Sequence, residues 1–151
     1  MARAAFLLKS GVICLLVSVG GFGCSSKSSP EPTASLMQLR LIGVAYARAT
    51  DELDHPPQNK QELVPFLKDL AKGYDNPADI LRSKVDDEEF VIHYGVDFRD
   101  ATGKDVDLPV LAYEKIGKDG KRAVLLHRFT YLKTDEDFAK LVFPPGYKAP
   151  F

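Results

Sequence analysis

Three histidines, His55, His93 and His127, are the side chains in this sequence best suited to proton transfer or metal ligation near neutral pH. None has a second His or a Cys at ligand spacing, so structural or surface roles are expected for all three. His93 and His127 could share a site only if their strands are neighbours, with Asp97 or Glu114 completing it. Ser83 is the only serine after Ser35 and has no His close in sequence, which gives nucleophilic hydrolysis little support. Glu114, beside Tyr113, carries a group able to act as a general acid. On a hairpin facing Lys115, Lys121 or Arg122 it reads more simply as half of a cross-strand charge pair. The run Asp86-Asp87-Glu88-Glu89 lacks the alternating oxygen ligands and the Gly of a calcium loop, so it is expected to be a solvated turn. Asp97, Asp100, Asp105 and Asp107 line a second acidic loop, where the Asp-x-Asp spacing of Asp105 and Asp107 marks a weak calcium candidate. No Gly-x-Ser-x-Gly, phosphate-cradling loop or dinucleotide fingerprint occurs, and neither a cofactor nor a catalytic residue is predicted. The aromatics Phe90, Tyr94, Phe98, Tyr113, Phe129 and Tyr131 are expected to build a core. In the Pro-rich C-terminal stretch, Tyr147 and Phe151 either pack back on the body or are offered to a partner.

The elements that must position these groups follow from periodicity. Leu36, Leu39, Ile42, Tyr46, Ala49 and Leu53 recur at steps of three or four, which predicts an amphipathic helix from Ser35 to about Leu53. Thr33 or Ser35 is available to cap it, Gln38, Arg40, Arg48, Asp51 and Glu52 fall off the apolar stripe, and Pro56-Pro57 stops it. Asn59 with Glu62 makes a capping box for a shorter helix with Leu63, Phe66, Leu67 and Leu70 as its apolar face. One helical turn is expected over 78–83. The β-branched and aromatic run 90–98 predicts a strand. Residues 110–116 and 123–129, joined through Asp119-Gly120, predict an antiparallel hairpin. Thr134 followed by three acids opens a last helix expected to reach Val142 before Pro144-Pro145. This order predicts an α+β fold: a long N-terminal amphipathic helix and short helices packed on a small, mostly antiparallel sheet.

With 151 residues, 45% hydrophobic and 27% charged, the chain suits one globular domain. Twenty basic against 21 acidic residues leave no electrostatic drive toward nucleic acid. The first residues have another character. Arg3 and Lys9 precede an uncharged apolar run from Gly11 to Phe22, then Gly23, Cys24 and the polar stretch Ser25-Ser26-Lys27-Ser28-Ser29-Pro30. The run is short for a membrane span and has the layout of a signal peptide. The segment resembles a bacterial lipoprotein signal, which implies that Cys24 becomes the acylated first residue of the mature chain. Gly23 fits that pattern, whereas Gly21 and Phe22 depart from it. Cleavage by an ordinary signal peptidase, releasing a secreted protein, is the alternative. Loss of 1–23 removes Cys14 and leaves Cys24 as the only cysteine, with 18 basic and 21 acidic residues. Attachment to a membrane would then depend on the acyl chains. The division is 1–23 signal peptide, 24–34 lipidated Cys and flexible tether, and 35–151 a single α+β domain.

The succession of long helix, Pro-rich turn, Gln61-Glu62-Leu63 short helix and a hairpin carrying Ala112-Tyr113-Glu114 and Asp119-Gly120 resembles the globular heads of pseudopilin-like proteins of type II secretion and type IV pili. The resemblance spans roughly residues 36–143. It implies a pilin-like head and, since some such heads bind calcium in a comparable loop, adds interest to Asp105 and Asp107. The Gly-Phe-Thr-Leu-Ile-Glu start of a prepilin helix is missing. The expected function is therefore a non-enzymatic, lipid-anchored protein on the extracytoplasmic side of a bacterial membrane, working by contact with an envelope protein. The alternative is a ligand-binding or hydrolytic lipoprotein with its site between helix and sheet.

Overall fold

Helix α1, Pro32–Leu53, takes its position from its own apolar stripe: Leu39, Ile42, Ala45, Tyr46 and Ala49 are all buried. A computed structural model describes residues 32–99 and 108–150; Cys24, Asp100, Asp105, Asp107 and Phe151 lie outside these described residues. The helix starts inside the stretch read as tether, so neither Thr33 nor Ser35 is its cap. Gln38, expected off the stripe, is buried. Its amide donates to the carbonyls of Ile80 and Arg82, at 3.3 and 2.7 Å, and its Oε1 accepts from Lys84 N–H, which binds α1 to the segment beside it. The helix ends where Asp54 takes a left-handed φ of 58°, a conformation open to a short polar side chain, ahead of the two prolines.

Helix α2, Lys60–Leu67, has the expected cap: Asn59 Oδ1 accepts from Glu62 N–H at 3.0 Å, while Glu62 reaches back to accept from Gln58 N–H and from the Asn59 side-chain amide rather than from the Asn59 backbone. Leu63 and Leu67 are buried against α1. The turn expected over 78–83 is a 3-10 helix, Pro77–Leu81, capped by Asn76.

The sheet is antiparallel and sequential, β1-β2-β3-β4, with β1 Val91–Ile92, β2 Val110–Tyr113, β3 Lys121–Leu126 and β4 Phe129–Thr134. Asp119 and Gly120 both take positive φ between the paired Lys118 and Lys121, as the Asp-Gly signal requires. Two expectations fail here. The strand read over 90–98 pairs with β2 only at Val91 and Ile92; beyond His93 the chain turns away, with Gly95 at φ 75° donating to the Pro57 carbonyl and Val96 N–H bonding the Tyr46 hydroxyl. The strand read over 123–129 is two strands, because His127 at φ 53° and Arg128 form a tight turn between Leu126 and Phe129.

Both faces of the sheet are covered, which explains the unbroken apolar runs of β2 and β3. Ala123 and Leu125 join Leu39, Ile42, Tyr46 and Leu63 in the core under α1. Val124 and Leu126 point the other way, to a second cluster with Val110, Tyr113 and Phe138. Phe138 belongs to helix α3, Asp135–Ala139, capped by Thr134 and shorter than the helix expected to reach Val142. The fold is α+β, as the sequence predicts.

Candidate functional site

His93 and His127 do not meet, since β1 and β3 are separated by β2. His93 is buried. Its Nδ1–H donates to the Val110 carbonyl at 2.7 Å, and its ring lies among Tyr113, Phe143 and Tyr147, the last at 4.1 Å between centroids. Burial lowers its pKa below the ordinary value, although the bond to Val110 pulls upward. Tyr147 thus covers His93 and donates from its hydroxyl to the Tyr94 carbonyl at 3.3 Å, with part of its ring still exposed. Its placement is the packed alternative of the two read from the sequence.

Glu114 forms no cross-strand charge pair. It is buried, with Oε1 accepting from Ser83 Oγ at 2.9 Å and Oε2 from Ala123 N–H at 2.7 Å. The carboxyl replaces the main-chain acceptor that β2 would have offered to Ala123. Ser83 has one hydroxyl hydrogen, and it goes to Glu114, so Ser35 is the donor in the 3.0 Å contact between the two serines. This Ser35–Ser83–Glu114 chain ties α1, the segment after the 3-10 turn and the sheet together, and Ser83 also borders a shallow surface hollow with Tyr74, Asp79 and Lys84. Arg122, named as a partner for Glu114, instead holds Asp135 at 2.8 Å and lies over the Phe138 ring.

The acidic run 86–89 is a turn whose acids tie it to distant parts of the chain. Burial raises the Asp86 pKa, but the backbone N–H groups of Gly117, Ile116 and Glu88 outweigh it and hold the carboxyl below its usual value. Glu88 pairs with Lys115, and Glu89 with Lys60. Asp97 is spent on Arg99, at 2.7 Å. No group of three or more His, Cys, Asp and Glu that could hold a metal occurs among the described residues.

One concave surface lies along the seam between α1 and the β3–β4 end of the sheet. A cleft of about 170 Å³ opens between Tyr46 and Thr50 of α1, Phe98, His127 and Arg128. His127 stacks on Phe98 at 6.0 Å, and burial together with the neighbouring Arg128 charge lowers its pKa. Beside it a broader groove of about 580 Å³ runs between Arg40, Val44 and Ala47 of α1 and Phe129, Thr130 and Tyr131 of β4. Gly43 makes this seam possible at its floor: a Cβ there would lie 3.2 Å from the Leu125 side chain. Sequence reasoning missed the groove because it missed β4, and the only available signal was the alternation of Thr130, Tyr131, Leu132 and Lys133.

The architecture is a helix-on-sheet α+β fold in which, among the described residues, β4 ends the sheet. No protein-family model, curated protein or solved structure matches the chain.

Proposed function

We propose that this chain is a non-enzymatic, lipid-anchored protein of the bacterial cell envelope whose pilin-like head acts through protein contact. The observation that carries the reading is the edge of β4: among the described residues no strand lies beyond it, and Leu132 is exposed on the face that α1 covers and Phe129 on the opposite face. An unpaired edge with apolar side chains is a template for another chain. Two further points support it. His93, Ser83 and Glu114, the groups best suited to chemistry, are committed to bonds that hold the fold. A long helix on a sequentially ordered antiparallel sheet is also what the resemblance to pseudopilin heads implies.

In this reading anchoring rests on Cys24, which follows the signal-like segment from Arg3 to Gly23. Fractionation of the Cys24→Ser variant tests it: the variant leaves the membrane fraction, while the parent chain withstands a high-salt wash. Persistence of the variant in salt-washed membranes sinks the anchoring claim. Cross-linking in intact cells, followed by identification of what is joined to β4, tests the contact claim.

The cleft at His127 favours a second reading, a ligand-binding lipoprotein. It combines the Tyr46 and Phe98 rings with the Arg128 guanidinium, a lining suited to a small aromatic anion. Calorimetric titration with benzoate-like acids distinguishes it.

A further inference from the structure

We propose that the cleft between the end of α1 and the β3–β4 turn binds a free α-amino acid with an apolar side chain, its ammonium at Asp51 and its carboxylate at Arg128. The proposal rests on the ligand-binding reading of this cleft and narrows the ligand from an anion to a zwitterion.

The walls set what enters. Tyr46, Phe98 and Leu111 are buried and line the cleft together with the half-buried His127. The Tyr46 hydroxyl is spent on the His93 and Val96 carbonyls, at 3.2 and 3.1 Å, so Tyr46 brings its ring rather than a polar group. Burial and the Arg128 charge lower the His127 pKa, which leaves the imidazole neutral near pH 7. Stacked on Phe98 with 23° between the planes, it extends the same wall. The volume of about 170 Å³ is close to the roughly 150 Å³ in which an apolar cavity takes up benzene. One aromatic ring or a branched aliphatic chain fits.

The rim sets the charges. Asp51 and Arg128 are exposed lining residues of opposite sign, and among the described residues neither forms an ion pair, with the other or with any third group. The Arg128 guanidinium lies over the Phe129 ring at 5.5 Å, a contact that leaves its N–H donors unspent. Arg99 also lines the cleft, but its charge is already answered by Asp97 and Asp54. Acceptors gather on the α1 side. Thr50 Oγ1 gives its hydrogen to the Tyr46 carbonyl at 2.9 Å and keeps only acceptor capacity. Thr50 and Asp51 both stand in the last turn of α1, where the helix end favours a cation.

These two sides select against ligands with one charge. A plain carboxylate at Arg128 adds a second negative charge near Asp51 and leaves Asp51 unanswered. A plain amine at Asp51 does the converse beside Arg128. An α-amino acid carries both groups on the carbon that bears its side chain, so it answers both while the side chain fills the slot. A peptide end, with one of the two charges, does not.

Calorimetric titration of the full chain in detergent with L-phenylalanine, 3-phenylpropionate and 2-phenylethylamine presents one ring with both charges, the carboxylate alone and the ammonium alone. Phenylalanine should bind about tenfold tighter than either of the others, the gain from one more charge-assisted bond. Asp51→Asn should weaken phenylalanine and phenylethylamine by about tenfold and leave phenylpropionate no weaker, whereas Arg128→Gln should weaken phenylalanine and phenylpropionate and spare phenylethylamine. Ala47→Phe, which fills the cleft from an exposed lining position, should abolish binding of all three. Both charged positions are exposed, so melting curves should be unchanged; if a variant unfolds, the comparison of ligands on the parent chain decides alone. Phenylpropionate that binds as tightly as phenylalanine, an equal response of the two to Asp51→Asn, or phenylalanine binding that survives Ala47→Phe overturns the proposal. The two readings fail separately. Acids that bind while phenylalanine gains nothing defeat only the amino-acid assignment, and a cleft that takes neither benzoate nor any of these ligands defeats the ligand-binding reading with it.

Discussion

His93 is held neutral by what surrounds it: the Tyr113, Phe143 and Tyr147 rings, and the Val110 carbonyl that takes its Nδ1 proton. Its lowered folded pKa fixes the sign of a pH effect. Above about pH 6.5 folded and unfolded chains both carry the neutral ring. Below that value the unfolded chain takes up a proton that the folded chain resists, so stability falls with pH until the folded pKa is passed, and then levels. Urea unfolding between about pH 7.5 and about pH 5 should show this loss, and His93→Phe should flatten it. His127 titrates in the same sense, so its contribution is separated with His127→Gln. An unchanged pH profile in His93→Phe would remove His93 as the cause. Glu114 is the opposite lesson in legibility. Its neighbours Lys115, Lys121 and Arg122 predict an exposed charge pair. Its real partners, Ser83 and Ala123 N–H, come from thirty-one residues upstream and from the neighbouring strand, which local spacing does not reveal.

At the scale of elements, the apolar stripe of α1 and the Asn59 cap were readable because each depends on residues within a few positions. Ile42, fully buried between α1 and the sheet, tests the stripe: Ile42→Ala should destabilise the fold by about 2 to 4 kcal/mol through lost burial and a residual cavity. A denaturant midpoint that barely moves would show that the helix does not depend on this contact. What was misread depended on turns. The β3–β4 turn uses His127 at positive φ where glycine or asparagine is usual, so no turn signal separates the two strands. The run 90–98 has strand composition throughout, but its second half bonds to Pro57 and Tyr46 instead of to β2. Residue preference marks a segment as suited to burial among β-structure, while the choice of partner is tertiary.

For the whole molecule, the proposed acyl anchor at Cys24 bears on the start of α1. Through Ser35, Ser83 and Glu114, the start of α1 is tied to Ala123, the residue that pairs with Leu132. From Cys24 to Pro32 there are eight peptide steps, a reach of at most about 28 Å when fully extended. The 22 residues of α1 span about 33 Å, so in a lone head Leu53 can stand well away from the lipid, farther than the tether itself is long. A fluorophore at Leu53→Cys should then be quenched by acceptor lipids less strongly than one at Met37→Cys near the helix start. Equal quenching at both positions would mean that the head lies flat and that the tether at the start of α1 does not set its orientation.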